Sequence, residues 1–150
     1  MQKESRGLWI KLLVAMTFAA MVTVNALANI LPINGISTGA VSDSYPNLFA
    51  PAGLTFAIWG LIYLLLAAYT LYQLGLFRGK DKKEYDGLLR KTGIVFSISS
   101  LANTAWIFSW HYKIITLSMV LMAILLICLI DIMHIIKAQG LSFRVKFFIR

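Results

Sequence analysis

The chain has 150 residues, 59% of them hydrophobic and 13% charged, with a mean hydropathy of +0.78. That length holds one compact bundle and no second domain, and the single cysteine, Cys128, excludes an intrachain disulfide and a multi-cysteine metal site. The net charge of +8 sits in short polar segments between apolar runs, a distribution that argues against nucleic acid as a partner.

Four apolar runs, at about 8–31, 54–77, 92–112 and 114–136, set the class. Between Lys11 and Arg78 only Asp43 is charged, and between Lys91 and Asp131 only Lys113. Each run reaches the roughly 20 residues that a helix needs to cross bilayer hydrocarbon. Backbone polar groups in lipid must be satisfied within a helix or a closed barrel, and barrel strands alternate over about 10 residues, which these runs do not. The expected fold is all-α: a polytopic membrane helix bundle with four transmembrane helices, forming one transmembrane domain over 1–150.

Lys3, Arg6 and Lys11 lead into the first run. A secretory leader is the competing reading, because Ala26-Leu27-Ala28 resembles a signal-peptidase site. The length of the apolar stretch and its polar Asn25 and Asn29 favour a retained helix. Pro32-Ile33-Asn34-Gly35 ends it, since proline removes a donor and Asn-Gly favours a turn. The loop over 32–52 is rich in Gly, Ser, Asn and Pro. It is longer than a connector requires, as in loops that cover sites, and a solvated linker stays equally open. Pro51 then begins the second helix, where its missing N–H is harmless. The segment 78–91 is a short polar connector carrying Arg78, Lys80, Lys82, Lys83, Arg90 and Lys91. The third and fourth runs meet in a tight turn at Trp110-His111-Tyr112-Lys113, and a basic tail follows over 137–150. Basic residues mark cytoplasmic segments. The N-terminus, 78–91 and the tail are therefore expected in the cytoplasm of a cell with this protein in its inner (cytoplasmic) membrane. The basic segments would meet anionic lipid headgroups.

This threading turns positions into depths, at about 1.5 Å per residue. Asn25 and Asn29 fall on one face in the outer third of the first helix. Phe56, Trp59 and Tyr63 share a face in the outer half of the second, and Asn103, Trp106 and Trp110 in the outer half of the third. Amides in lipid need partners, aromatic faces stack on flat ligands, and an apolar pocket with a few polar groups is a usual ligand site. The competing account gives the amides to helix–helix packing and Trp110, His111 and Tyr112 to an interfacial belt. Asp131 and His134, at i, i+3, could relay protons, though snorkelling toward the headgroups is the plainer account. Ser97, Ser99 and Ser100 have no histidine or lysine at useful spacing, and no Gly-rich phosphate loop occurs. No enzyme, no metal and no required cofactor is expected.

The stretch PAGLTFAIWGLIY, from Pro51 to Tyr63, resembles the second helix of the tryptophan-rich sensory proteins, the TspO/MBR family that includes the mitochondrial translocator protein. Pro51, Trp59, Ile62 and Tyr63 match its pattern. Leu101-Ala102-Asn103-Thr104-Ala105-Trp106 is similar to that family's L-N-x-x-W on the third helix. The resemblance implies a five-helix membrane bundle that binds porphyrins or other flat lipophilic molecules below the loop joining the first two helices. It also implies a sensory or transport-linked role and homodimerisation, with Ser100, Ala102 and Thr104 permitting close helix contact. It carries over Pro51, Trp59, Tyr63, Asn103 and Trp106 as ligand-binding residues, to which spacing adds Asn25, Asn29, Phe56 and Trp110. The chain departs from the pattern in three ways. Alanine follows Pro51 where the family has a proline pair, the accompanying tryptophan is missing, and four spans stand where five are expected, as in a truncated or diverged member. Two rivals remain: a fragment or subunit of a multi-pass transporter, which would need Asp131, and a structural membrane subunit without a ligand.

Overall fold

A computed structural model describes residues 2–31, 33–45, 58–77 and 85–138, with side chains from Gly7 onward. The described residues form five α-helices and one 3-10 turn: α1 (Gln2–Ile30), the turn Ile33–Gly35, α2 (Thr38–Asp43), α3 (Ile58–Leu74), α4 (Asp86–His111) and α5 (Ile115–Lys137). The long helices follow the apolar runs, which are rich in Leu, Ile, Ala and Met and free of internal proline. α4 starts earlier than its run and takes in Asp86, Arg90 and Lys91. Asp86 in its first turn suits the positive end of the helix dipole. Pro51 and Phe56, the connector 78–84 and the tail beyond 138 lie outside the described residues.

Helix ends follow from local chemistry. Asn34 and Gly35 both have positive φ, 57° and 72°, and turn the chain back over the bundle after α1. Asparagine and glycine are the residues that enter this region at least cost. α3 ends in a Schellman motif around Gly75 (φ 108°), with Leu76 N–H on Leu71 O at 3.1 Å and Gly75 N–H on Tyr72 O at 3.1 Å. α4 ends in the same motif around Lys113 (φ 56°): Ile114 N–H donates to Ser109 O at 2.8 Å and Lys113 N–H to Trp110 O at 3.0 Å.

α4 is the central element and packs against both α1 and α5, while α3 packs on α1. Its buried stripe Leu89, Gly93, Phe96, Ser100, Asn103, Ile107 and His111 recurs at three- and four-residue steps. So does the stripe Ile10, Val14, Thr17, Met21, Asn25 and Ala28 on α1. The two helices run parallel in constant register, Phe18 beside Phe96 (6.3 Å between ring centroids) and Asn25 beside Asn103. On α5, Ser118, Leu121, Leu125, Cys128, Ile132 and Ile135 form a third seam of alternating spacing, as helices packed at shallow angles require. Ser100 and Ala102 are buried within the chain, so neither is free to form the face of a homodimer.

By length and hydropathy, two of the described helices can cross a membrane: Gly7–Ile30 (mean hydropathy 1.9) and Ile115–Lys137 (2.8), with Ile58–Leu74 a shorter apolar helix. α4 falls below that mark because Thr92, Ser97, Ser99, Ser100, Asn103, Thr104 and Ser109 lie along it. Its position inside the bundle accounts for this. The hydroxyls of Ser97, Ser99, Thr104 and Ser109 each donate to a carbonyl three or four residues back, at 2.8–2.9 Å. They carry no unmet polarity into an apolar surrounding.

At one end of the bundle, here the charged end, Lys11, Arg90, Lys91 and Lys137 gather and three helices meet at Gly93. A Cβ there would stand 2.5 Å from Gln73 Nε2, 3.1 Å from Ile10 Cγ2 and 3.2 Å from Val14 Cγ2. Gln73 reaches across from α3 and donates to Leu89 O at 2.7 Å. The Tyr69 hydroxyl donates to Thr92 Oγ1 at 3.2 Å, and its ring lies 4.8 Å from that of Phe96. Lys11 extends its ammonium to the carbonyl end of α3, 3.7 Å from where a Cβ on Gly75 would be. At the opposite end, residues 33–45 fold back over α4 as a strap.

Candidate functional site

Above Gly93 the three helices diverge in character. Asn25 and Asn103 face each other across α1 and α4. Asn25 Nδ2 donates to Asn103 Oδ1 at 2.7 Å and to Met21 O at 2.9 Å, which uses both its protons. Asn29, one turn higher, donates to Asn25 O at 3.0 Å. Asn25 Oδ1 and Asn103 Nδ2 make no hydrogen bond among the described residues. One acceptor and one donor of the pair are thus left without a partner among the described residues.

α3 carries its aromatic pair at this level. Starting from the contact of Lys11 with Gly75, Asn25 lies about 21 Å up α1, and Tyr63 and Trp59 lie about 18 and 24 Å up α3. Their rings stack at 6.3 Å with 30° between planes, and Trp59 is 37% exposed. Ile58, Leu61, Leu64 and Leu65 around them are exposed too, whereas Tyr69, Thr70, Tyr72 and Gln73 near the other end are buried. Among the described residues no hydrogen bond or ring contact joins Trp59 or Tyr63 to α4.

On α4, Trp106 and Trp110 stack one turn apart, 5.9 Å between centroids and 20° between planes. Trp110 is also held from above: its indole N–H donates to Thr38 O at 3.2 Å and its ring meets Tyr45 at 6.4 Å. The strap has a second fastening at His111, which is 0% exposed. His111 Nδ1 is 3.1 Å from Ile33 O, Nε2 is 3.1 Å from Thr38 Oγ1, and Asn34 Nδ2 donates to the His111 carbonyl at 3.2 Å. Lys113 stands 5.9 Å over the Tyr45 ring.

The structure therefore brings together Asn25 with Asn103, Trp59 with Tyr63, and Trp106 with Trp110. It places Asn29 on the exposed side of α1, bonded to its own helix. Spacing did not single out Thr38, Tyr45 or His111 as a group, because their partners lie more than 60 positions apart. The Asn34-Gly35 turn was the one local signal that the chain doubles back. Among the described residues no three His, Cys, Asp or Glu side chains lie close enough to hold a metal ion. No curated protein and no solved structure matches the chain. A family model described as TSPO-like protein matches residues 11–150, nearly the whole sequence, and with its all-α bundle of apolar spans the chain belongs to that family of membrane proteins.

Proposed function

We propose that the chain is a membrane sensor or binding protein for a small planar hydrophobic ligand. The ligand would be held between α1, α3 and α4 at the strap end, with Trp59, Tyr63, Trp106 and Trp110 supplying flat apolar contact. The observation that carries this reading is the Asn25–Asn103 pair, with one amide acceptor and one amide donor left over among the described residues, at the depth of two stacked aromatic pairs. A helix pair that needed the amides only for packing gains nothing from leaving half of each without a partner among the described residues. Porphyrins have the flat apolar faces that stacked aromatic rings accept. Their carboxylates would want cations, and among the described residues at this end His111 is buried under the strap and Lys113 is engaged with Tyr45. An uncharged planar lipophile therefore suits the site better than a dicarboxylate. Binding, not catalysis, is the proposed activity, at the membrane and with the strap side outward.

The test is a titration of the detergent-solubilised full chain with protoporphyrin IX and with its dimethyl ester, followed by tryptophan quenching. Saturable quenching is expected, at least as tight for the ester. Asn103→Ala and Trp59→Ala should each weaken it about tenfold, equivalent to about 1.4 kcal/mol. Linear, non-saturating quenching, or equal affinity in both variants, would defeat the reading.

A further inference from the structure

We propose that α5 pairs with α5 of a second copy of this chain, through the flank that carries Asp131 and His134. The pairing does not depend on the binding function above. α5 packs on α4 along the seam from Ser118 to Ile135, which leaves two outward flanks, each about 100° round the helix from that seam. The flanks differ in chemistry. One is Met119, Met122, Leu126, Leu129 and Met133, all exposed and all apolar, which suits a surface turned to lipid. The other is Leu117, Val120, Ile124, Ile127, Asp131 and His134, also exposed, and it ends in a carboxylate and an imidazole one turn apart. Among the described residues neither of those two side chains makes a hydrogen bond or an ion pair.

Depth makes the pair costly to leave to lipid. Asp131 lies about 24 Å along α5 from Ile115, within the roughly 30 Å of bilayer hydrocarbon. At the charged end Ile136 shares a core cluster with Leu88 and Leu89, which sets the level of Arg90. Asp131 is about 7.5 Å deeper than Ile136. Lysine and arginine reach the headgroups on long stems, whereas aspartate has a single methylene. Ionisable side chains within a span are accordingly found paired.

This flank is complementary to itself. Two copies inserted alike are related by a two-fold axis along the bilayer normal, so their α5 helices run parallel and residues of one level meet. Side chains lean toward the N-terminus of their helix. The longer imidazole of His134 therefore reaches back to the level of Asp131 on the facing helix, where its N–H can donate to the carboxylate. The symmetry makes this bond twice. Val120, Ile124 and Ile127 continue the flank at the three- and four-residue steps of a parallel helix seam. All three are β-branched and lose little side-chain freedom when a helix packs on them. A polar pair within such a seam fixes its register.

The test is disulfide trapping of the full chain in membranes, in a Cys128→Ser background. Ile127→Cys should oxidise to a dimer, and Leu129→Cys, on the apolar flank at similar depth, several-fold less. Asp131→Ala and His134→Ala should each cut the Ile127→Cys dimer several-fold. Both side chains are exposed, so these variants should melt like the parent. Asp131→Asn and His134→Gln, which keep an acceptor and a donor, should trap nearly as the parent does. Differently tagged Asp131→Ala and His134→Ala chains expressed together regain one crossed bond, so mixed dimers should exceed either self-dimer. Equal trapping on both flanks, or mixed dimers no more abundant than self-dimers, would overturn the pairing. So would trapping only to a different membrane protein. A monomer whose melting temperature falls in Asp131→Ala would place the partner of the carboxylate within the chain, and would overturn it too.

Discussion

The two ends of this bundle are built from the same four long helices and differ in what stands at the crossing point. At the charged end, Gly93 lets α1, α3 and α4 close to side-chain contact, and Tyr69, Gln73 and Phe96 fill the space with bonds that cross from helix to helix. At the strap end α3 turns exposed Ile58, Trp59 and Leu61 and half-buried Tyr63 to its surroundings, and the amides of α1 and α4 are only half used among the described residues. The difference separates two tasks. One half holds the helices in register, and that rigidity lets the other half keep its amides and aromatic rings at defined positions.

The sharpest way to break the contrast is to fill the notch. Gly93→Leu puts a branched side chain where even a Cβ meets Gln73, Ile10 and Val14. Gln73 would be driven off Leu89 O and the helices apart, at a cost of about 1–3 kcal/mol or more. The purified variant should melt well below the parent in detergent and run as a broader species on size exclusion. If the notch is the organising point, ligand response at the far end should fall with it. A variant that melts like the parent would mean that α3 is held by something other than the Gly93 contact.

Much of this contrast was legible in the sequence, and part was not. Charge-free runs locate the long helices, because an apolar stretch in lipid has few alternatives to helix, but α1 begins at Gln2 and α4 at Asp86, ahead of their runs, where polar residues extend the helix beyond the apolar stretch. The pairing of Asn25 with Asn103 was readable as depth, since register in a parallel pair follows from rise alone. What hydropathy could not show is that α4, among the most polar of the long helices, is the central one. Its serines and threonines look like weak span signals until the hydroxyls of Ser97, Ser99, Thr104 and Ser109 are seen bonded to their own backbone. The strap was hidden for a different reason. Its contacts join 33–45 to 106–113, and no periodicity within a helix encodes an interaction between a loop and a distant helix end. Trp110 illustrates the consequence: spacing puts it on the face of Asn103 and Trp106, while its donor is taken by Thr38 O.

A smaller effect is expected at the amide pair. A double-mutant cycle with Asn25→Leu and Asn103→Leu, read by thermal or denaturant stability in detergent, should return a coupling of about 0.6 kcal/mol and at most about 1.7. Asn25 keeps its bond to Met21 O when Asn103 is removed, which limits the loss. The comparison between the ends is sharpened if these changes hardly touch stability yet weaken ligand quenching. A coupling above about 3 kcal/mol would instead make the pair a structural clasp, and the functional reading of the strap end would lose its main support.

The smallest effect belongs to Lys11. Read from sequence it is one more basic residue marking a cytoplasmic flank, yet its ammonium lies at the carbonyl end of α3 beside Gly75. A cation at that position is worth about 0.3–1 kcal/mol at low salt and less as salt rises. Lys11→Met keeps the length and apolar stem of the side chain and removes the charge. It should lower the melting temperature slightly in low salt, and the gap to the parent should close in high salt, while Lys11→Arg retains full stability in both. A gap that does not respond to salt would assign Lys11 to packing along its methylene stem. In that case the charged end would owe its cohesion to Gly93 and the buried α3 residues alone, with electrostatics governing only how the chain is threaded through the bilayer.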